Sequence, residues 1–179
     1  MGKLVVTSFI TLDNVVEEPQ LWSGRFQSDD TGELNDAVLQ EADALLLGRV
    51  TYEGFAAAWP SRSGDPFADK FNAMPKHVVS SSLERADWNN STIIRDDVAE
   101  RVRALRADQN VLVWGSPTLV RTLMDHDLVD EYVLLVSPIV RGEGIRLFRD
   151  AGEQHDLRIA EATVLGGGML ALRMTLARA

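Results

Sequence analysis

A short run from Leu45 to Glu53 combines an apolar stretch with three residue types that suit phosphate binding. Leu45–Leu47 predicts a buried strand, Gly48 and Arg49 follow at once, and Thr51 comes two residues later. The first N–H groups of a helix lack intrahelical acceptors and lie at the positive end of its dipole, so they bind anions. A glycine admits a ligand to the backbone, and a guanidinium matches phosphate oxygens. The same spacing also fits a plain strand-to-helix turn.

Two further predicted strand ends carry similar groups. Ser80–Ser82 follow one strand, with Arg85 and Arg95 nearby in the sequence, and Gly115-Ser116 precede a helix that begins at Pro117. In parallel sheets, ligands bind at the carboxyl ends of the strands. Three such ends favour an extended, multiply phosphorylated ligand such as a dinucleotide. The alternatives are a serine-rich turn at the first site and an ordinary N-cap at Ser116.

Length and composition limit the possible functions. The 179 residues predict a single domain over residues 1–179, and the net charge of −9 argues against nucleic-acid binding. The absence of cysteine excludes disulfides and thiolate ligands, and three widely spaced histidines predict no metal site. The sequence predicts neither a membrane span nor a signal peptide. We therefore expect a cytoplasmic protein that acts on a small molecule.

Strand and helix patterns alternate before the chain closes in a hairpin. Strands are predicted at residues 3–12, 44–47, 76–80, 92–94, 111–114 and 131–137, with helices at about 31–41, after 48, and at 67–73, 98–107 and 117–126. Residues 157–165 and 169–176 alternate around Gly166–Gly168, which predicts antiparallel strands. These patterns predict an α/β fold with a mixed sheet. The glycine fingerprint of a Rossmann domain is absent, since Leu147 occupies the third position after Gly142 and Gly144.

The segment Gly48–Glu53 resembles the Gly-Arg-x-Thr-aromatic-Glu motif of dihydrofolate reductases, and more closely that of the reductase domain of riboflavin biosynthesis, the RibD C-terminal family. Leu12–Asn14 resembles the family's Leu-Asp-Gly turn. Residues 76–80, 111–116, 128–131 and 138–148 resemble further signatures, the last being Pro-x-x-x-Gly-x-Gly-x-x-Leu-Phe. The resemblance covers most of the chain. It implies a three-layer α/β/α dihydrofolate reductase-like fold that binds NADPH.

The resemblance also implies three groups of cofactor contacts. The pyrophosphate would lie against Gly48, Arg49 and Thr51 and against Gly115, Ser116, Pro117, Thr118 and Leu119. The adenosine and its 2′-phosphate would lie near Ser80 and Ser81, and the nicotinamide near Ser8, Phe9 and Val16. This chain departs from the family at two of its usual glycines. Ser116 replaces one, which implies a tighter approach, and Asn14 replaces the other, where asparagine tolerates left-handed backbone.

A reductase often needs an acid beside the reacting atoms. In dihydrofolate reductases a carboxylate near the start of the first helix serves the pterin, and Asp30 and Glu33 lie in the corresponding region. Their spacing also fits a capping box, which favours a structural role. Asp13 is an alternative acid that could instead order its turn. The proton donor therefore stays open at the level of sequence.

The substrate pocket is expected between residues 17–27, the first helix and the loop at 59–67. Aromatic residues there could stack on a planar heterocycle or could belong to the core or a dimer interface; they are Trp22, Phe26, Trp59 and Phe67. The sequence thus predicts an NADPH-dependent reductase of a pterin-like, pyrimidine-like or carbonyl substrate. The alternative is a non-catalytic nucleotide-binding or homodimeric module with the same fold. The apolar alternation of the C-terminal hairpin favours a homodimer.

Overall fold

The computed structural model describes residues 2–149, 152 and 154–177. Its strands are β1 Leu4–Thr11, β2 Ala44–Gly48, β3 Lys76–Val79, β4 Ser91–Ile94, β5 Val111–Trp114, β6 Glu131–Ser137, β7 Leu157–Val164 and β8 Leu170–Leu176. Its α-helices are α1 Asp29–Gln40, α2 Arg49–Ala58, α3 Pro66–Ala73, α4 Val98–Asp108 and α5 Pro117–Asp125. Within these described residues, no helix is both long and apolar enough to cross a membrane.

All eight strands form one sheet in the order β4-β3-β2-β5-β1-β6-β8-β7. The strands from β4 to β6 are parallel, β8 is antiparallel to β6, and β7 is antiparallel to β8. This confirms the predicted mixed sheet and its antiparallel hairpin. Because β1, β2, β3 and β5 are parallel, their carboxyl ends meet at one edge of the sheet, where ligands bind in such sheets.

Helices cover both faces of the parallel part of the sheet. Alternate residues of β2 enter opposite cores: Leu46 packs with Val120 of α5, whereas Leu45 and Leu47 pack with Leu39 of α1. All three leucines are 0% exposed. A strand buried on both faces reads as a continuous apolar run, which is how β2 appears in the sequence. The predicted three layers are therefore present.

Two predicted helix caps are wrong. The sequence Asp97-Val98-Ala99-Glu100 has the spacing of a capping box before α4, but Asp97 has a left-handed backbone with φ of 48° and makes no side-chain cap bond. The capping box of α1 lies at Ser28 and Thr31 rather than at Asp30 and Glu33, and the Ser28 N–H donates to Thr31 Oγ1 at 3.2 Å. α1 therefore begins at Asp29, two residues earlier than the apolar spacing predicts.

The segment after β6 folds back onto the turn after β1. Asn14, at φ of 72°, donates from Nδ2 to the carbonyl of Phe148 at 2.9 Å and accepts the Phe148 N–H at 3.0 Å. The expected left-handed turn is thus present, and asparagine adds two bonds that a glycine could not make. Gly144 passes so close to Val15 that a Cβ would lie 2.7 Å from Val15 Cγ1. This contact requires glycine at the second glycine position of the Pro-x-x-x-Gly-x-Gly-x-x-Leu-Phe signature.

Four charged side chains link β8 of the C-terminal hairpin to the starts of β1 and β6 and to the end of α1. Lys3 Nζ lies 3.1 Å from carboxylate oxygens of both Glu41 and Glu131, and Arg173 of β8 lies 2.6 Å from Glu131 Oε1. Burial opposes the charges of Lys3 and Glu41, but hydrogen bonds and ion pairs with Glu131 and Glu41 raise the pKa of Lys3, and those with Lys3 and Arg173 lower the pKa of Glu41. Glu131 is the centre of this network because it bonds both cations.

Glu131→Gln should lower the free energy of unfolding by about 1–3 kcal/mol, because the side chain keeps its shape and loses the charge that two partly buried cations share. Urea unfolding at neutral pH measures the change. Glu100→Gln, on the exposed surface of α4, is the matched control and should stay within about 0.5 kcal/mol of the parent protein. Equal losses in the two variants would contradict a central role for Glu131.

Candidate functional site

One hydroxyl group connects the ends of β2 and β5. Gly48 donates its N–H to Ser116 Oγ at 2.9 Å, and Ser116 Oγ donates to Thr51 Oγ1 at 2.9 Å. Ser116 is 6% exposed and occupies the predicted N-cap position of α5, but at φ of 59° its side chain makes no cap bond and instead bonds across to the neighbouring loop. Gly115 donates its N–H to the carbonyl of Thr7 at 2.9 Å, which adds β1 to the junction.

The starts of two helices converge at this junction. α2 begins at Arg49, directly after Gly48, and α5 begins at Pro117, directly after Ser116. The two helices therefore present their positive ends and their unpaired first-turn N–H groups from adjacent loops. Gly48 must be small here, since a Cβ would lie 3.3 Å from both Cβ and Oγ of Ser116. The strand ends predicted for the pyrophosphate are thus brought together, with Thr118 exposed and Leu119 buried behind them.

Arg49 lies at the mouth of this junction. Its Nη1 donates to Glu53 Oε2 at 2.9 Å in an i,i+4 ion pair, and its side chain is 44% exposed. The pair is monodentate, so Glu53 uses only one of the five guanidinium donors. An anion at the start of α2 would therefore compete with Glu53 for the charge of Arg49.

The loop after β3 is organised by Ser80. Its buried hydroxyl accepts the N–H groups of Ser82 at 3.2 Å and Leu83 at 2.9 Å, which is the turn role weighed for this cluster. Ser81 is exposed, and its carbonyl accepts from Arg95 Nη1 at 3.4 Å. Arg95 also reaches the carbonyl of Glu84 at 3.4 Å, so its guanidinium lies on the loop. The sequence shows Arg95 only as a cation near the serine cluster. Its bonds to the carbonyls of Ser81 and Glu84 assign it to the candidate site.

The three residues predicted near the nicotinamide lie on or after β1, at the centre of the sheet. Ser8 is buried and its hydroxyl donates to the carbonyl of Phe9 at 3.0 Å. Val16 is buried and its N–H donates to the carbonyl of Ile145 at 2.8 Å. Phe9 is half-buried and packs against Leu135. Their role with a cofactor stays a prediction.

The candidate acids Asp30 and Asp13 are both bonded to backbone amides. Asp30 Oδ2 accepts the Gly166 N–H at 2.8 Å, and the Ser28 hydroxyl, together with that amide, lowers the pKa of Asp30. The Thr11 hydroxyl and the amides of Gly142 and Arg141 lower the pKa of Asp13 to about 2. Both carboxylates are therefore ionised at neutral pH, which suits a structural role better than proton donation.

The third candidate, Glu33, is exposed on α1. It lies one turn from Asp29 and outside the capping box that Ser28 forms, so the structure gives it no cap role. Its assignment as a proton donor stays a prediction, as do those of Asp30 and Asp13.

The C-terminal hairpin is fastened beside Asp30. Gly167 donates its N–H to Ser28 Oγ at 2.9 Å, next to the bond from Gly166 to Asp30. A Cβ on Gly167 would lie 1.8 Å from the carbonyl oxygen of Phe26, so only glycine fits. The glycine run predicted as a turn therefore also fixes the start of α1.

Aromatic side chains form a cluster at the same end of the sheet. Trp59 and Phe67 contact each other at 5.4 Å between ring centroids, and both contact Phe71. Trp114, at the end of β5, was not predicted from the sequence as a pocket residue. Its ring meets that of Phe67 edge to face, with 6.0 Å between the ring centroids. Trp59 and Phe67 thus belong to the core on one face of the sheet and are only partly exposed.

The two aromatic residues on the other side of the predicted pocket also have packing roles. Trp22 is buried and its Nε1 donates to the carbonyl of Glu17 at 2.9 Å, and half-buried Phe26 carries Arg25 over its ring. In the described part of the chain, no cluster of His, Asp and Glu is placed to hold a metal ion.

The parallel sheet, its helix layers and the converging strand ends define a dihydrofolate reductase-like α/β protein. The RibD C-terminal domain family matches residues 2–171, and the chain belongs to that family. A relative in Bacillus subtilis (strain 168), named "Uncharacterized protein YyaP", is 27% identical over 139 residues, which are 74% of this chain and 73% of YyaP.

Two solved structures share the fold. One is a Shewanella sp. PV-4 protein described as a riboflavin biosynthesis protein, with a TM-score of 0.78, 19% identity, and 98% of this chain and 99% of that chain covered. The other is the deaminase/5-amino-6-(5-phosphoribosylamino)uracil reductase of Thermotoga maritima, with a TM-score of 0.67 and 15% identity. It aligns with 98% of this chain and 57% of its own length. At these identities the likeness shows the fold alone.

Ser116→Ala should lower the free energy of unfolding by about 1–3 kcal/mol, because it leaves the Gly48 N–H without its acceptor and keeps the left-handed backbone. Ser116→Gly loses the same bonds but should cost about 1 kcal/mol less, since glycine adopts positive φ readily. Urea unfolding of the two variants separates the hydrogen bonds from the backbone strain. An Ala variant as stable as the parent protein would contradict the bridging role.

Proposed function

We propose that this protein is an NADPH-dependent reductase of a small planar substrate. The observation that carries the proposal is the convergence of the starts of α2 and α5 at the Ser116 junction. The residues there fit a pyrophosphate, because α2 and α5 start from adjacent loops with free first-turn amides, and Arg49, Thr51 and Thr118 belong to those first turns. NADPH would supply a hydride when bound. Membership of the RibD C-terminal family supports this assignment of the cofactor.

Arg95 supports NADPH over NADH. Its guanidinium lies on the loop that begins at Ser80, and its two contacts are 3.4 Å bonds to backbone carbonyls rather than to a carboxylate. Its positive charge is therefore uncompensated by these contacts and lies beside the exposed Ser81. A 2′-phosphate is the one group that distinguishes NADPH from NADH, and a forked guanidinium suits it.

The substrate would lie on the sheet face that carries Phe9 and Trp114. The aromatic cluster continues from Trp114 through Phe67 to Trp59, and the Arg62 guanidinium lies 4.6 Å from the Trp59 ring. The ring surface that Trp59, Phe67 and Trp114 leave exposed beside the core favours a flat heterocycle, pterin-like or pyrimidine-like, over a simple carbonyl compound. Because Asp30 and Asp13 are ionised, we propose that solvent supplies the proton that accompanies the hydride.

A titration with NADPH tests the proposed function. We expect saturable binding, weakened by about 1.5–3 kcal/mol in Arg49→Ala if the charged contact exists. Glu53→Gln should strengthen binding a few-fold, because it removes the carboxylate that competes for Arg49. Arg101→Ala, on the exposed surface of α4, is the control and should bind as the parent protein does. Absence of binding at millimolar NADPH would contradict the proposed function.

Arg95→Ala should separate the two cofactors. We expect about a tenfold higher Kd for NADPH, corresponding to about 1.4 kcal/mol, with the Kd for NADH unchanged. Isothermal titration with each cofactor measures both constants. The same Arg101→Ala control applies. A variant that loses affinity for both cofactors equally would remove Arg95 from the 2′-phosphate site.

A non-catalytic nucleotide-binding module remains the second candidate, favoured by the structural bonds of Asp30 and Asp13. Both candidates bind NADPH, so the binding titration does not separate them. Oxidation of bound NADPH in the presence of a pterin, pyrimidine or quinone favours the reductase. Binding without oxidation by any of these favours the module. In either case we propose a homodimer.

A further inference from the structure

Trp88 anchors the loop that joins β3 to β4. Its backbone N–H donates to the Tyr52 hydroxyl at 2.9 Å, and its Nε1 donates to Asn72 Oδ1 at 2.9 Å. The Nζ of Lys76 lies 4.2 Å from the centroid of the Trp88 ring. Trp88 and Tyr52 are 5% and 3% exposed, so the hydrogen bond between them is shielded from solvent. Trp88 therefore holds the far end of this loop, as Ser80 holds its beginning.

The Tyr52 hydroxyl links this loop to helix α2. Within the described residues, no other hydrogen bond joins residues 80–90 to α2. Tyr52 directly follows Thr51, which accepts from the Ser116 hydroxyl at the junction of the two helix starts. Asn72 and Lys76, by contrast, belong to α3 and β3. The position of the loop relative to the junction is therefore set through Tyr52.

Residues 84–87, which precede Trp88, have few directional contacts of their own. Within the described residues, their backbone N–H groups donate no hydrogen bond. Ala86 and the preceding Leu83 are only half-buried against the core. An open cleft of about 830 Å³ lies between this part of the loop and helices α2 and α3. The position of residues 84–87 therefore depends on the anchors at either end.

Arg95 contacts the loop on both sides of Leu83. Its Nη1 donates to the carbonyl of Ser81 and its Nη2 donates to the carbonyl of Glu84, each at 3.4 Å. Both bonds are longer than most hydrogen bonds in proteins, so a small displacement of Glu84 would break its contact with Arg95. A chain of contacts thus runs from Tyr52 through Trp88 and residues 84–87 to the Arg95 guanidinium.

We propose that the Tyr52 hydroxyl positions the 2′-phosphate site of NADPH and so sets the preference for NADPH over NADH. It acts through Trp88 and Glu84 on Arg95, and not by contact with the cofactor. This role rests on the proposed function, because it requires the 2′-phosphate to lie beside Arg95. The pyrophosphate and the 2′-phosphate belong to one ligand, so their two sites must keep one separation. Tyr52 belongs to the helix that starts at the first site and bonds the loop that forms the second.

Tyr52→Phe tests the role of the hydroxyl. The variant keeps the ring and leaves the buried Trp88 N–H without its acceptor, so the loop must shift to satisfy it. Isothermal titration should give about a fivefold higher Kd for NADPH and an unchanged Kd for NADH. Tyr132→Phe is the matched control, since the buried Tyr132 hydroxyl has no hydrogen-bond partner within the described residues. It should bind both cofactors as the parent protein does.

The titration separates failure of this role from failure of the proposed function. A parent protein that binds no NADPH contradicts the proposed function. If the parent protein binds NADPH and Tyr52→Phe keeps the same ratio of the two Kd values, the positioning role alone is overturned. An equal loss of affinity for NADPH and NADH also overturns it, because a general defect in α2 would weaken the pyrophosphate site that both cofactors share.

A double-mutant cycle tests the route through Arg95. In the Arg95→Ala background, Tyr52→Phe should raise the Kd for NADPH no further, because the guanidinium that the loop positions is absent. Fold-changes that multiply, as independent sites give, would contradict this route.

Fluorine resonances of labelled tyrosine give a measurement that does not depend on the folding of a Tyr52 variant. The chain contains two tyrosines, so fluorotyrosine labelling gives two resonances, and Tyr132→Phe assigns the one from Tyr52. We expect saturating NADPH and NADH to give different shifts at Tyr52 and the same shift at Tyr132. Identical shifts at Tyr52 with the two cofactors would overturn the positioning role.

Discussion

The hydrogen bonds of the Ser116 hydroxyl hold together the part of the molecule on which the candidate site depends. One oxygen accepts from Gly48 at the end of β2 and donates to Thr51 in the first turn of α2, while Ser116 itself precedes α5. The cost is a serine in left-handed backbone, about 1 kcal/mol. These bonds hold the starts of α2 and α5, which belong to separate strand–helix crossovers, in a fixed position relative to each other. A phosphate site made from two helix dipoles requires that constraint, because either helix alone supplies only half of the donors.

The C-terminal third of the chain fixes the other side of the site. Asp13 and Asn14 bind the segment 141–148 through backbone amides and a carbonyl, and Ser28 and Asp30 bind the glycine turn of the hairpin. In both places a short polar side chain at the mouth of the site is used to hold backbone. This explains why the carboxylates that the sequence offered as acids have lowered pKa values. The same bonds that order the site withdraw these groups from proton transfer.

The strand order and layers could be predicted because β2 is apolar throughout and the hairpin alternates around three glycines, patterns that burial alone produces. The backbone geometry of the helix caps at Asp97 and Ser116 could not be predicted. Both positions have left-handed backbone, which local spacing does not encode and which removes the normal N-cap geometry. Arg95 was visible only as a cation near a serine cluster, because its contact with Ser81 depends on the pairing of β3 with β4. The place of Arg95 therefore follows from strand pairing between distant parts of the chain, which a local sequence pattern does not reveal.

The acidity of the chain is consistent with the proposed phosphate site. A net charge of −9 produces a field that repels anions at long range, so binding cannot depend on steering. The donors at the junction are mainly backbone N–H groups, whose partial charges act only within the first helical turn. Arg49 and Arg95 would add charge locally: Arg49 is paired with Glu53 on its own helix, and Arg95 is held by backbone carbonyls of the loop after β3. In the proposed site, selectivity for a phosphorylated ligand would follow from the geometry of the strand ends, which the Ser116 bonds hold in place.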